Sequence, residues 1–432
     1  MKNLPILGLA FALSACATVA LDGRPPLDQL ARDYLALQLA IGEKDPGYVD
    51  AYYGPQDLAD AAKANDAGMT LPMLQARVLA LDTALAGYPV DTTSLESERV
   101  RYLRAMLSSA KMRLRVLSGE KIGFQDEAEA LFGVRPQLVD LRSMEPVIAQ
   151  IEALVPGDES DAPLGVRANA FLDRFAVPQD RLRPVIDAAM AECKRRTLEH
   201  VTMPASESFD LFLVNDKPWG GFNYYQGNYN SRIEINTDRT FRIDRAVDIG
   251  CHEGYPGHHV FSTLVERDLT RGRGWIENSL LPLYSPRAII TEGSAKFAAK
   301  MAFPGDTQIA FEREVIAPLA GIETEGLEEY YRLAGLMSEL RGAYYTIADG
   351  YLSGTMSRED AVEASMRYRL LSRKDAEQSL RFVDAYRTYI INYDLGEEMI
   401  EAYVERAGDD EAARWARFVE TLNTPLLPED LD

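Results

Sequence analysis

Residues 239–260 read "RTFRIDRAVDIGCHEGYPGHHV". Apolar side chains recur at helical spacing in the first part, and the helix they predict runs straight into a cluster of histidines. The chain has four histidines in 432 residues, and His252, His258 and His259 fall within eight positions. His-Glu followed by a second His on a helix is the arrangement that gives a metal two imidazole ligands and poises a carboxylate base over its water. The usual spacing puts the histidines one helical turn apart, whereas here His258 lies six and His259 seven residues beyond His252. In an unbroken helix neither can share an ion with His252, so the helix must deform. Gly254, Pro256 and Gly257 supply the means, since Pro lacks an N–H and Gly admits unusual backbone angles. Extruding two residues restores the one-turn relation for His258, while His259 requires three and strands more backbone groups. His258 is therefore expected as the second ligand, His259 as a supporting donor or an acid near the leaving group, and Glu253 as general base. Asp248, one turn before His252, either orients that imidazole or pairs with Arg245.

Further along, "ITEGSAKFAAK" offers Glu292 among apolar and small residues, where a lone carboxylate is costly. It either pairs with Lys296, four residues on, or becomes a third ligand that leaves a fourth position open. Upstream, across residues 207–238, aromatics, Gly and Asn replace helical spacing, and "SRIEIN" alternates polar with apolar. Short strands are expected there, directly before the histidines. "NSRIEIN" is read as an edge that an extended peptide could join. Trp219, Tyr224 and Tyr225 either line the same cleft or pack within the sheet.

The rest is helical in texture, as in "LPMLQARVLALDTALAGY" and "ESERVRYLRAMLSSAKMRLRVLSG", with turn signals at "DPGYVDAYYGPQD" and "LVPGDESDAPLG". Pro178 opens a helix ending near His200, which serves as a dipole partner at its C-terminus rather than a base. One long helix is expected over "GLEEYYRLAGLMSELRGAYYTIADGYLSG", and at least two more after "SRED". The fold class is thus mostly α with a small β-sheet next to the active-site helix. Residues 27–200 form an N-terminal helical region and 201–432 the catalytic region.

The chain opens "MKNLPILGLAFALSACATVA", an apolar run too short to span a membrane and a secretory signal in form. Residues 1–16 are read as signal peptide and 17–26 as linker. Lys and Arg number 46 against 67 Asp and Glu, a net charge of −21 that excludes nucleic acid as a partner, because such binding needs a cationic patch. Cys193 and Cys251 are too few for a disulfide framework; they either pair or stay as buried thiols. No phosphate-cradling or dinucleotide glycine motif follows a strand.

"HEGYPGHH" with a downstream "TEG" resembles the bacterial family catalogued as domain of unknown function 885, whose members carry His-Glu-Gly-x-Pro-Gly-His-His and then Thr-Glu-Gly. The family in turn resembles helical zinc metallopeptidases of the gluzincin kind. The likeness spans loosely from "YVDAYYGP" to "MSREDA". It implies a helical metallopeptidase-like architecture, Zn2+ held by His252, His258 and Glu292, and Glu253 as base. "LSAC" resembles a bacterial lipobox, which implies a lipid anchor on Cys16 and a place in the cell envelope. Ala17 is not the Asp of an inner-membrane retention signal, so an outer-membrane lipoprotein facing the periplasm is expected; a plain signal peptide is the alternative. Two departures matter. Ser294 stands where the family has a large aromatic after Thr-Glu-Gly, and "RGAYYTIADGYLSG" lacks the family's His. The donor to a developing oxyanion is therefore sought among Arg341, Tyr344, Tyr345 and Tyr351, with Arg341 and Tyr345 foremost; the other reading is packing within a helix. The expected function is an exported zinc-dependent hydrolase, a metallopeptidase acting on a peptide or other amide. The rival is a non-catalytic helical envelope lipoprotein that binds a ligand or partner and keeps a structural metal.

Overall fold

The computed structural model describes residues 24–432 except 90, 92–93, 156, 158–161 and 218, so the signal segment and Cys16 lie outside the described residues. Local caps explain where several helices begin. Ser94 starts Leu95–Leu117 by accepting the Ser97 N–H, and Arg115 sits in the last turn, where a cation suits the exposed carbonyl ends. Ser285 starts Pro286–Ala302 by accepting the Ala288 N–H, with Pro286 at a position whose N–H would have no partner. The helix expected from Pro178 begins with a tight turn, Gln179–Arg181, and continues as Leu182–Thr197. After "SRED" come Arg358–Tyr368, Arg373–Tyr386, Ile391–Glu405 and Glu411–Asn423. The long helix expected after residue 326 is instead two, Leu327–Glu339 and Ala343–Ser353. The break falls at Gly342, a weak helix former, where the Arg341 Nε turns back to donate to the Ser338 carbonyl at 2.9 Å.

Among the described residues, five strands form two small sheets: β1 (Val49–Tyr52), β2 (Ser208–Val214), β3 (Gly221–Gly227), β4 (Asn230–Asn236) and β5 (Leu280–Pro282). β2, β4 and β3 lie in that order, β4 running parallel to β2 and antiparallel to β3. The sheet stands beside the histidine helix as expected, but β4, which carries "NSRIEIN", is its centre. With both ladders already paired, β4 has no edge for a peptide; β2 and β3 are the outer strands. β1 pairs antiparallel with β5. Its sequence reads locally as a turn, because a four-residue strand whose partner lies more than two hundred positions on leaves no periodic signal.

Two contacts position the centre of the molecule. A disulfide joins Cys193 of helix Leu182–Thr197 to Cys251 of helix Ile243–Glu253, with Cα atoms 5.5 Å apart. Helix Pro286–Ala302 crosses Ile391–Glu405 where Gly293 meets Gly396: a Cβ on Gly293 would lie 2.3 Å from the Gly396 carbonyl carbon. Only a glycine pair lets the two backbones come that close. Among the described residues, no helix is long and apolar enough to cross a membrane.

Candidate metal centre

The first histidine helix stops at Glu253 and the second, His258–Leu264, starts at His258. Between them the chain makes a tight bend containing a cis Tyr255–Pro256 peptide. The Gly257 N–H donates to the Cys251 carbonyl at 2.9 Å, and a Cβ on Gly257 would lie 1.9 Å from the His252 carbonyl oxygen. Glycine is required there by close approach rather than by a positive φ. The helix is therefore interrupted, as the sequence demanded, and the bend turns His258 back toward His252.

Their rings meet edge to face, centroids 4.7 Å apart. Glu292, from helix Pro286–Ala302, closes the triangle: its Oε2 lies 3.7 Å from His252 Nε2 and its Oε1 3.8 Å from His258 Nε2. One donor atom from each of the three lies within 4.8 Å of the others. Glu292 forms no ion pair with Lys296; it accepts instead from the Tyr389 hydroxyl at 2.9 Å.

The electrostatics fit a divalent cation. Burial holds both imidazoles in the neutral, ligating form, His258 down at about 4 and His252 well below its usual value, with His258 adding to the effect on His252. Burial also lifts the Glu292 carboxyl to about 7, against the Tyr389 hydrogen bond, and pushes Glu253 well above the carboxylate range, with Glu292 adding repulsion. Glu253 is 4% exposed, and its Oε2, like the Oε2 of Glu292, has no hydrogen-bond partner among the described residues. Buried orphan oxygens on two carboxylates beside two neutral imidazoles are costly as they stand, and a bound cation would satisfy them. The residues present fit Zn2+, which takes His nitrogen and carboxylate oxygen with a position left open.

β3 covers Glu253. A Cβ on Gly221 would come within 2.5 Å of Glu253 Oε1, and Asn223 Nδ2 donates to the Glu253 backbone carbonyl at 2.7 Å. Asp50 of β1 also reaches the centre: burial pushes its carboxyl up to about 6, with Glu292 adding to the rise and His258 opposing it. Tyr393, one turn after Tyr389, feels both Glu292 and Glu253, and burial drives its hydroxyl far above the ordinary phenol range. Sequence reasoning did not single out Asp50, Gly221, Asn223, Tyr389 or Tyr393. The only local trace is the one-turn spacing of Tyr389 and Tyr393 ahead of Gly396.

Other expected residues lie elsewhere. His259 is fully buried against the sheet, Nδ1 2.8 Å from Ser231 Oγ and Nε2 3.0 Å from Glu207 Oε2, so it faces away from the triad. Asp248 pairs with Arg245, while its charge also reaches His252. Arg341 binds Glu397 at 3.0 Å and Asp394 at 3.5 Å. The Tyr345 hydroxyl accepts the Leu395 N–H at 3.0 Å, Tyr344 donates to the Ser379 carbonyl, and Tyr351 to Asp384. None of these four bonds to the triad; each is engaged by the partners just named. Tyr225 donates to Glu266, and Trp219 packs on Phe222 and Tyr224. His200 stacks on Trp415, ring centroids 4.5 Å apart.

No family model matches the chain, and no curated protein is similar to it. Among solved structures the chain is similar to a "putative lipoprotein" from Colwellia psychrerythraea, with a TM-score of 0.50 and 15% identity over 87% of this chain and 64% of that one. This chain thus spans less than two thirds of that protein's length, and the likeness is one of fold. A fainter likeness, TM-score 0.47 at 11% identity over 94% of each chain, links it to a carboxypeptidase from Pyrococcus furiosus.

Proposed function

We propose that the chain is a zinc-dependent hydrolase that cleaves peptide bonds, with His252, His258 and Glu292 holding the metal and Glu253 serving as general base. The observation that carries this reading is the pairing of three converging donors, two imidazoles and one carboxylate, with a second buried carboxylate, Glu253, whose free oxygen lies outside the donor set. Three protein donors leave a coordination position open, whereas structural zinc sites are closed by a fourth protein ligand. A bound zinc supplies Lewis acidity toward water and toward the scissile carbonyl.

The chain's own residues supply the rest. Glu253 Oε2, its basicity raised by burial, takes the proton of the attacking water and returns it to the leaving amine nitrogen. Tyr389 holds Glu292 by its hydroxyl and so fixes the carboxylate that faces the two imidazoles. Tyr393, near both carboxylates, is the phenol best situated to donate to the carbonyl oxygen as it becomes negative, the role first sought in Arg341 or Tyr345. β3 excludes water behind Glu253.

The bridge between Cys193 and Cys251 suits an oxidising compartment and so supports export. We place the protein in the cell envelope, anchored by lipid on Cys16 at the periplasmic face of the outer membrane; the name lipoprotein attached to the Colwellia neighbour agrees with that reading. Likeness to the family of unknown function 885 is part of the same proposal. Metal analysis and a peptide-library digest of wild type and Glu253→Gln test it together. The variant is expected to keep near-stoichiometric zinc and lose at least roughly a hundredfold in turnover, since it loses the base but no ligand. Unchanged turnover in the zinc-loaded variant sinks the mechanism.

A further inference from the structure

Glu207, the residue before β2, gathers three donors from three segments of the chain on one carboxylate. Its Oε1 accepts from Lys194 Nζ of helix Leu182–Thr197 at 2.8 Å, and its Oε2 accepts both from the Tyr255 hydroxyl and from His259 Nε2, the latter at 3.0 Å. Burial works against the charge, but His259, Lys194 and Tyr255 together hold the Glu207 carboxyl down at about 2. An ionised carboxylate only accepts, so Nε2 carries the proton of its bond, and Nδ1 faces Ser231 Oγ at 2.8 Å. Ser231, His259 and Glu207 thus stand in the line of a serine triad. Ser231 and His259 are both fully buried, so no substrate reaches that hydroxyl, and the line is a support instead.

What it supports is the bend that carries His258. Tyr255 and His259 flank the segment Pro256–Gly257–His258, and a single oxygen of Glu207 binds them both. Their rings pack on each other with centroids 5.1 Å apart, and Phe209 of β2 closes the cluster, 5.9 Å from Tyr255 and 5.8 Å from His259. The other end of the motif is fastened to the same helix: Cys251 is bridged to Cys193, the neighbour of Lys194, and a Cβ on Gly254 would stand 2.5 Å from Met190 Sδ one turn earlier. Holding the side chains on both sides of His258 fixes the backbone between them. The His258 imidazole then points the other way from His259, with Nε2 3.8 Å from Glu292 Oε1.

We propose that Glu207 is a positioning residue of the metal centre: by binding Tyr255 and His259 with one carboxylate oxygen, it sets the backbone of the bend and so aims His258 at the metal. The proposal rests on the zinc site of the hydrolase reading above. Glu207 touches neither metal nor substrate; it acts through the two residues it grips.

The test measures zinc affinity by competition with a chelator and the visible absorption of the protein loaded with Co2+, which reports ligand geometry. Glu207→Leu removes both acceptors at similar size and is expected to weaken zinc binding by about tenfold or more, the scale of losing support behind a ligand, and to alter the Co2+ spectrum. Glu207→Gln keeps an oxygen for Tyr255 and His259 while losing the Lys194 ion pair; it is expected to stay within about threefold of wild type, with the wild-type spectrum. Arg99→Ala, which loses a different ion pair, lowers stability and is expected to leave both readouts unchanged. If Glu207→Leu does not fold, Tyr255→Phe takes its place, with an altered spectrum and a loss of about threefold or more in zinc affinity, the scale of one hydrogen bond. Unchanged affinity and spectrum in Glu207→Leu, or in Tyr255→Phe where that replaces it, overturn the proposal, and so does Glu207→Gln as impaired as Glu207→Leu or Arg99→Ala with the same spectral change. Neither readout needs turnover, so the two readings part: a wild type that binds zinc and cleaves no peptide ends the hydrolase reading while the losses in Glu207→Leu still support the positioning role, and a wild type that binds no zinc overturns both.

Discussion

Gly221 shows how much a single missing methyl group does here. Its Cα faces the Glu253 carboxylate so closely that an added Cβ would stand 2.5 Å from Oε1, and 2.7 Å from Ile249 Cδ1. The neighbour on the far side is a helix pinned by a disulfide, so the carboxylate rather than the backbone has to give way. Gly221→Ala is expected to leave zinc content unchanged and to lower kcat by roughly a hundredfold, because a displacement of about 1 Å in a catalytic group costs on that order. Metal analysis beside single-turnover rates checks this; full activity would mean that Glu253 is not the base. His258 and His259 make the same point about neighbouring residues. Adjacent in sequence, they point to different layers, one toward Glu292 and the other into a buried cluster with Ser231 and Glu207. The backbone argument from helix geometry gave the two imidazoles different directions, but nothing local to "GHH" names Ser231 or Glu207 as the partners of the second imidazole.

At the scale of elements, the crossing of Pro286–Ala302 over Ile391–Glu405 sets the geometry of the third donor. Gly293 follows Glu292 directly, and Gly396 lies one turn beyond Tyr393, so the contact that brings the backbones together also sets Tyr389 on Glu292, with Tyr393 packed against the Tyr389 ring. The glycine of "TEG" thus has a packing reason: any side chain there would lever the helices apart. Gly293→Ala is expected to destabilise the fold by about 1–3 kcal/mol, as overpacking does, and to weaken zinc binding as the Tyr389 bond to Glu292 opens. Chemical denaturation and zinc titration measure the two effects, and an unaltered zinc affinity would remove the crossing from the account of the centre. The 3.6-residue pattern made most helices legible, and alternation made "SRIEIN" legible as a strand. It failed at "YVDAYYGP", where the strand is short and its partner distant, and at residues 340–342, where a continuous apolar pattern hides a break.

Across the whole molecule, ion pairs tie the early helices to one another and to later segments. Arg99 grips Glu277 with Nε to Oε1 at 2.6 Å and Nη2 to Oε2 at 2.9 Å, and both side chains are buried; Arg113 holds Asp45, and Arg387 holds Glu127. Glu277 precedes β5, the partner of β1, so this pair stands behind the strand that carries Asp50. Arg99→Ala is expected to cost about 3–5 kcal/mol in urea unfolding at neutral pH, because it strands the Glu277 charge, whereas Arg99→Met with Glu277→Leu is expected to recover most of that loss. Equal losses in the two variants would mean that packing, and not the unpaired charge, sets the cost. The sequence alone determined the helical class, the sheet ahead of the histidines, the need for a broken helix at Pro256, and Glu292 as a carboxylate out of place in an apolar turn. Those readings rest on periodicity, backbone chemistry and burial cost, all of which are local. Tertiary structure decided that Tyr389 holds Glu292 while Arg341 and Tyr345 are occupied elsewhere, and that Cys193 meets Cys251. These depend on which distant segments meet, and such meetings are set by the closest approach that small residues and paired strands allow, a property that no short stretch of the chain contains.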